Sequence, residues 1–196
     1  MPLVRVFVAV SISEEARAAI ASMMKELMRL GERIRWIPPE NLHLTLKFVG
    51  EVDSQRVPEF ESALDRSIDG FSQFQYSLEA KGCFPNWNQP RILWVGVKDT
   101  ENRLVGIHRE IDRNFQTLGI PGENRRFKPH LTIARLKQGA KPEAALLAFQ
   151  QFQLGEYRVD VREVHLMRSD LGPSGAQYSI LYNASLRSPY SETVGH

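Results

Sequence analysis

A strand–helix–turn–strand unit occurs twice in this chain, and each copy ends on the same polar pattern. Arg5-Val6-Phe7-Val8-Ala9-Val10 is a nearly continuous apolar run, as a buried central strand should be. Ile20, Met23, Met24, Leu27 and Leu30 follow at helical spacing, with Gly31 as the stop. A connector with Pro38-Pro39 then leads into a strand that opens on His43-Leu44-Thr45-Leu46 and ends at Gly50. The order restarts at Arg91-Ile92-Leu93-Trp94-Val95-Gly96-Val97. A helix bearing Leu104, Ile107, His108, Ile111, Phe115 and Leu118 comes next, with Gly119 as its stop. A second connector then delivers His130-Leu131-Thr132-Ile133. Arg5 precedes His43 by 38 positions and Arg91 precedes His130 by 39, which marks an internal duplication. Two copies of one amphipathic pattern must bury equivalent faces. The expected fold is therefore α+β: two pseudo-symmetric lobes, each a mostly antiparallel sheet backed by helices, about a central cleft.

The remaining chain fits that frame. Residues 58–68 read as a helix and 74–81 as a strand, and 82–90 read as a loop carrying Phe84, Pro85, Trp87 and Pro90. A last helix is expected at 142–152. Two closing strands, 157–167 and 177–186, are joined by the Gly172-Pro173-Ser174-Gly175 turn. No stretch reads as an interdomain linker, so residues 1–196 are expected to form a single domain with a loose tail at 187–196.

Each His-x-Thr carries chemistry on one strand face. Side chains alternate, so His43, Thr45 and Lys47 share one face while Leu44, Leu46 and Phe48 share the other. The second copy sets His130 and Thr132 opposite Leu131 and Ile133. A pseudo-twofold arrangement of the lobes brings the two imidazoles and two hydroxyls together. Imidazole titrates near 6.5, so one ring can act as base while its neighbour acts as acid. On opposite sides of a phosphorus atom they suit an in-line displacement, with the threonine hydroxyls donating to the non-bridging oxygens. A strained cyclic phosphate can be opened this way with no covalent intermediate, metal or other cofactor.

Competing readings are weaker. Two histidines can be zinc ligands, but a zinc site needs a third protein ligand and close ligand pairs. The chain has no His-x-His, no HExxH and no Cys pair. His108 lies on an apolar helix face and reads as a core histidine, while His165 and His196 belong to no motif. No GxxxxGK[ST] loop supports ATP chemistry. The formal charge of +2 fits a phosphate-bearing ligand and is too small to argue for duplex binding. A lone Cys83 excludes an intramolecular disulfide and fits a reducing compartment. The apolar start is too short to span a membrane and runs into helix-start residues, so a cytoplasmic location is expected.

At these residues the sequence resembles the 2H phosphoesterase superfamily, defined by two H-x-T-x motifs on duplicated lobes. The longer segments, from Asn41-Leu42-His43 through Gly50-Glu51 and from Phe127-Lys128-Pro129-His130 through Ala134-Arg135, resemble its RNA 2′,3′-cyclic phosphodiesterase branch, also called 2′-5′ RNA ligase. The likeness extends to Phe84-Pro85 and to the segment from Pro90-Arg91 to Gly96. It implies metal-free opening of a terminal 2′,3′-cyclic phosphate on RNA to a 2′-phosphate, reversible as ATP-independent 2′-5′ ligation. It implies His43 as proton donor, His130 as proton acceptor, and Thr45 and Thr132 on the phosphate. Phe48 becomes a base-stacking or wall residue and Arg135 a phosphate ligand. The implied partners are RNA ends bearing the cyclic phosphate, tRNA fragments among them, met by a monomer. Strict alternation opposes the last two assignments: it puts Phe48 and Arg135 on the face away from the histidines. Either a bulge re-aims them or Lys47 is the cation of the site. Two other functions stay open on the residues: a phosphodiesterase for a small cyclic nucleotide, and a non-catalytic RNA-end binding module.

Overall fold

The computed structural model describes residues 2–30, 34–140, 142–173 and 175–189. These form β1 (Leu3–Val10), α1 (Glu14–Met28), β2 (Arg35–Trp36), β3 (Leu44–Asp53), α2 (Val57–Ile68), β4 (Phe74–Phe84) and β5 (Ile92–Lys98). Then come α3 (Arg103–Gln116), β6 (His130–Arg135), α4 (Glu143–Gln151), β7 (Tyr157–Val161), β8 (Glu163–Gly172) and β9 (Gly175–Ser185).

Local chemistry accounts for the helix ends. Ser13 caps α1 by accepting from the Ala16 N–H, with Glu14 and Glu15 in the positive first turn. The Asp99 carboxylate accepts from the N–H groups of Arg103 and Leu104 at the start of α3. After α3, Gly119 takes a φ of +86°, which lets the Ile120 N–H reach back to the Phe115 carbonyl. Gly31 lies outside the described residues.

The strands make one curled antiparallel sheet in the order β7-β4-β5-β6-β3-β1-β8-β9, with β2 also paired to β6. That order is symmetric about the junction of β6 and β3, so the two expected lobes are present. They meet edge to edge through the pair Leu44↔Leu131 instead of facing each other as separate sheets. The halves of the sequence also trade strands. β4, from the first half, completes the second lobe beside β5, and β8, from the second half, completes the first beside β1. On one face Val8, Leu44, Leu46, Val95, Leu131 and Ile133 join helix residues such as Ile20, Met23, Leu64, Ile107 and Phe115 in a continuous core. The helices cover that face and leave the other open at its middle.

Three expectations change. The closing segment 157–167 is two strands, because β7 edges β4 in the second lobe while β8 pairs β1 in the first, and the chain breaks at Arg162 between them. β4 runs on through Phe84, which belongs to the sheet and not to a loop. Arg187, at the start of the expected tail, is tied down by a bridge to Ser72 and an ion pair with Asp69, while 190–196 lie outside the described residues.

Candidate active site

Two bulges build the site. Beside β1 the register runs Val10↔Leu44, Ala9↔Thr45 and then Val8↔Lys47, which leaves Leu46 without a partner. Beside β5 it runs Val95↔Leu131, Trp94↔Thr132 and then Leu93↔Ala134, which leaves out Ile133. Each bulge falls three residues after a histidine. One extra residue reverses the alternation beyond it, so Lys47 and Ala134 turn into the core while Phe48 and Arg135 turn out to the histidine face. Lys47 is 2% exposed and Phe48 64%. The alternation that put Lys47 at the site and Phe48 in the core is overturned.

His43, Thr45, Phe48, His130, Thr132 and Arg135 all line one cleft of about 820 Å³. The antiparallel junction at Leu44↔Leu131 sets His43 on the Thr132 side and His130 on the Thr45 side. Both rings are oriented alike. His43 Nδ1 donates to the Asn41 carbonyl at 2.7 Å, and His130 Nδ1 to the Lys128 carbonyl at 2.8 Å. A carbonyl can only accept, so the proton of each neutral ring sits on Nδ1 and Nε2 keeps its lone pair. His43 Nε2 lies 3.0 Å from Thr45 Oγ1. Aromatic walls hold the rings: Phe7 and Tyr178 stand 4.9 and 5.1 Å from His43, and Phe84 stands 5.0 Å from His130.

Burial pushes the pKa of His43 down; the Asn41 carbonyl opposes this, and the positive charges of Arg135 and Arg17 reinforce it. His130 is also lowered, first by burial and also by Arg135, against the pull of the Lys128 carbonyl. Arg135 thus acts electrostatically on both rings from one position. An anionic phosphate placed among these groups would offset the guanidinium and favour protonation of one ring.

Several contributors had no sequence signal. Arg17 on α1 donates to the Pro39 and Leu42 carbonyls at 2.5 and 3.4 Å, fastening the turn ahead of His43, yet it reads as an ordinary surface helix position. Tyr178 comes to His43 only because β9 is carried there by β8. Arg91, Arg125, Arg126 and Lys128 also line the cleft. Among the described residues no group of three His, Cys, Asp or Glu is gathered as a metal site, and no helix is long and apolar enough to cross a membrane.

A duplicated sheet with His-x-Thr on the strand of each lobe that meets the other, both opening on one cleft, defines a two-histidine phosphoesterase scaffold. Known proteins agree. The family model described as LigT like phosphoesterase matches the chain twice, over residues 10–94 and 95–178. An RNA 2′,3′-cyclic phosphodiesterase of Thermotoga maritima is 33% identical over 178 residues, covering 91% of this chain and 93% of the relative. Another, of Methanocaldococcus jannaschii, is 34% identical over 180 residues, covering 90% and 98%. The crystal structure of TT0787 of Thermus thermophilus superposes with a TM-score of 0.77 at 28% identity, over 95% of this chain and 100% of that one. The chain belongs to the LigT like phosphoesterase family.

Proposed function

We propose that this protein is an RNA 2′,3′-cyclic phosphodiesterase that opens the terminal cyclic phosphate to a 2′-phosphomonoester with two histidines and no metal. The observation that carries the reading is the convergence of two Nδ1-anchored imidazoles, two threonines and the Arg135 guanidinium in a single cleft. His130 is the base. Its Nε2 takes a proton from water as the water oxygen attacks phosphorus, and the P–O3′ bond breaks. His43, entering as imidazolium, gives its Nε2 proton to the departing O3′. Thr45, Thr132 and Arg135 meet the charge on the non-bridging oxygens, and Phe48 offers a ring to the base. His130 is the less enclosed ring, which suits the side by which water enters. A ribose 5′-hydroxyl in place of water gives a 2′-5′ linkage by the same proton transfers, without ATP. The reading includes tRNA fragments as substrates, a monomeric protein, a single domain over residues 1–196 and a cytoplasmic setting, the last in keeping with the lone Cys83.

The test is ³¹P NMR of a cyclic-phosphate-ended oligoribonucleotide, with and without EDTA. A single 2′-phosphate product that survives chelation is expected. A mixture of 2′- and 3′-phosphates, or activity lost to EDTA and restored by zinc or manganese, would sink the two-histidine reading.

A further inference from the structure

The bulge after His43 displaces two residues, and both reach across to the segment that leads into His130. Lys47 is buried, and its Nζ donates to Asp112 Oδ1 on α3 at 2.5 Å and to the Pro121 carbonyl at 2.9 Å. The Glu123 carboxylate stands 3.7 Å from the same ammonium, and the Glu123 N–H donates to Asp112 at 3.1 Å. The Leu46 carbonyl accepts from His108 Nδ1 at 2.8 Å. The His108 ring in turn stacks on Phe127, with centroids 4.1 Å apart and planes 13° from parallel. The segment 121–127 is therefore clamped near both ends to the first histidine motif.

Between and just beyond the clamps, Arg125, Arg126 and Lys128 line the cleft. Among the described residues no carboxylate pairs with any of these three side chains. Arg17, Arg56, Arg103, Arg113, Arg168 and Arg187, by contrast, each hold an acidic partner. Glu123, which also lines the cleft, leans its carboxylate on Lys47. Arg135 and the two threonines already serve the reacting phosphate. Three further unpaired cations exceed what one phosphate requires, and a cyclic mononucleotide has only one. A polyribonucleotide end has another phosphate on its 5′ side for every added residue.

We propose that the segment 121–128 is a strap that takes the phosphates 5′ of the terminal nucleotide, held in place by Lys47 and His108, so that the site prefers a polyribonucleotide end to a cyclic mononucleotide. This rests on the cyclic phosphodiesterase reading. Arg125, Arg126 and Lys128 are the strand-binding groups; Lys47 and His108 are positioning residues that touch no substrate.

The experiment measures kcat and KM for 2′,3′-cyclic-phosphate substrates of one, two, four and eight nucleotides at several salt concentrations. Wild-type kcat/KM is expected to rise with length, chiefly through KM. In the double variant Arg125→Ser/Arg126→Ser the ratio of eight-mer to mononucleotide kcat/KM should fall about tenfold or more. Its salt slope for the eight-mer should flatten by about 0.7 for each phosphate that the variant no longer neutralises. Lys47→Met, and separately His108→Gln, which keeps a donor for Leu46 but loses the stack on Phe127, should lower the same ratio with both arginines still present. Circular dichroism identifies any variant that fails to fold, and the remaining variants then carry the test. Equal wild-type kcat/KM at all lengths overturns the strap while leaving the hydrolase reading intact. So does an equal loss on mononucleotide and eight-mer in the arginine variant, which would put those cations at the reacting phosphate. Full length preference in folded Lys47→Met and His108→Gln overturns the clamp. Failure to open any cyclic phosphate, at any length, counts against the parent reading instead.

Discussion

The two lobes share a backbone and differ in what they hang on it. Both carry His-x-Thr, and both bulge at the third residue after the histidine. The outward position two residues beyond each bulge is Phe48 in one lobe and Arg135 in the other, and the inward position is Lys47 in one and Ala134 in the other. The next strands differ in a complementary way. Ala9 lies between Thr45 and His165, whereas Trp94 lies between Thr132 and Gly82. In the second lobe the large ring stands on the inner strand, and a Cβ on Gly82 would run into the indole. In the first the ring belongs to His165 over the small Ala9, held by Ser11 at 3.1 Å and Asn183 at 2.8 Å. Backbone symmetry opens two similarly anchored imidazoles on one cleft. Side-chain divergence then makes the two sides of the cleft unequal, aromatic at Phe48 and cationic at Arg135. The proposed reaction, with distinct entering and leaving groups, uses that inequality.

The sharpest way to break the comparison is to remove each histidine. His43→Ala and His130→Ala should each lower hydrolysis of cyclic-phosphate RNA by about 10²–10⁴-fold, the scale of one general acid or base. The circular dichroism should stay unchanged, because both rings face the cleft. Their roles separate on a linear nucleoside p-nitrophenyl phosphodiester, whose leaving group needs no proton. There His43→Ala should recover toward wild type and His130→Ala should not. Equal recovery of both would show that the lobes do not divide acid from base.

Next in size are the charge-stabilising groups. Arg135→Gln, Thr45→Ala and Thr132→Ala should each cost about 10²–10³-fold in kcat, on the scale of one lost donor to developing charge. Phe48→Ala, at the position equivalent to Arg135, should act on KM instead. Loss of one stacked base is worth about 1 kcal/mol at the low end of its range, roughly a fivefold rise. Steady-state kinetics on one substrate decides it, and a kcat loss at Phe48 as large as that at Arg135 would erase the distinction between the lobes.

The smallest expected effect is on pH. The base must be deprotonated and the acid protonated, and burial with Arg135 holds both rings below 6.5. The bell of kcat/KM in the free enzyme should therefore peak on the acid side of 6.5, with limbs that belong to the coupled pair. Arg135→Gln removes a charge that lowers both, so both limbs should move to higher pH. A maximum above 7 in the wild type would contradict the lowered pair.

The duplication, its strand and helix content and the two His-x-Thr signatures were legible because hydrophobic period and glycine stops are local. Helices α2 and α4 fall within a residue of the expected 58–68 and 142–152. The histidine and threonine positions could be read because two residues on one strand share a face whatever the sheet does. Phe48, Lys47 and Arg135 could not. Their direction depends on Leu46 and Ile133 dropping out of register, and a bulge is set by pairing with β1 and β5, strands distant in the chain. The exchange of β4 and β8 between lobes, the splitting of β7 from β8 and the arrival of Tyr178 and Arg17 beside His43 depend likewise on long-range pairing and packing. Local sequence therefore determined which histidines and threonines share a strand face and open on the cleft. Only the tertiary structure decided which way the neighbours of each histidine face, because one unpaired residue in a strand turns every later side chain to the other side.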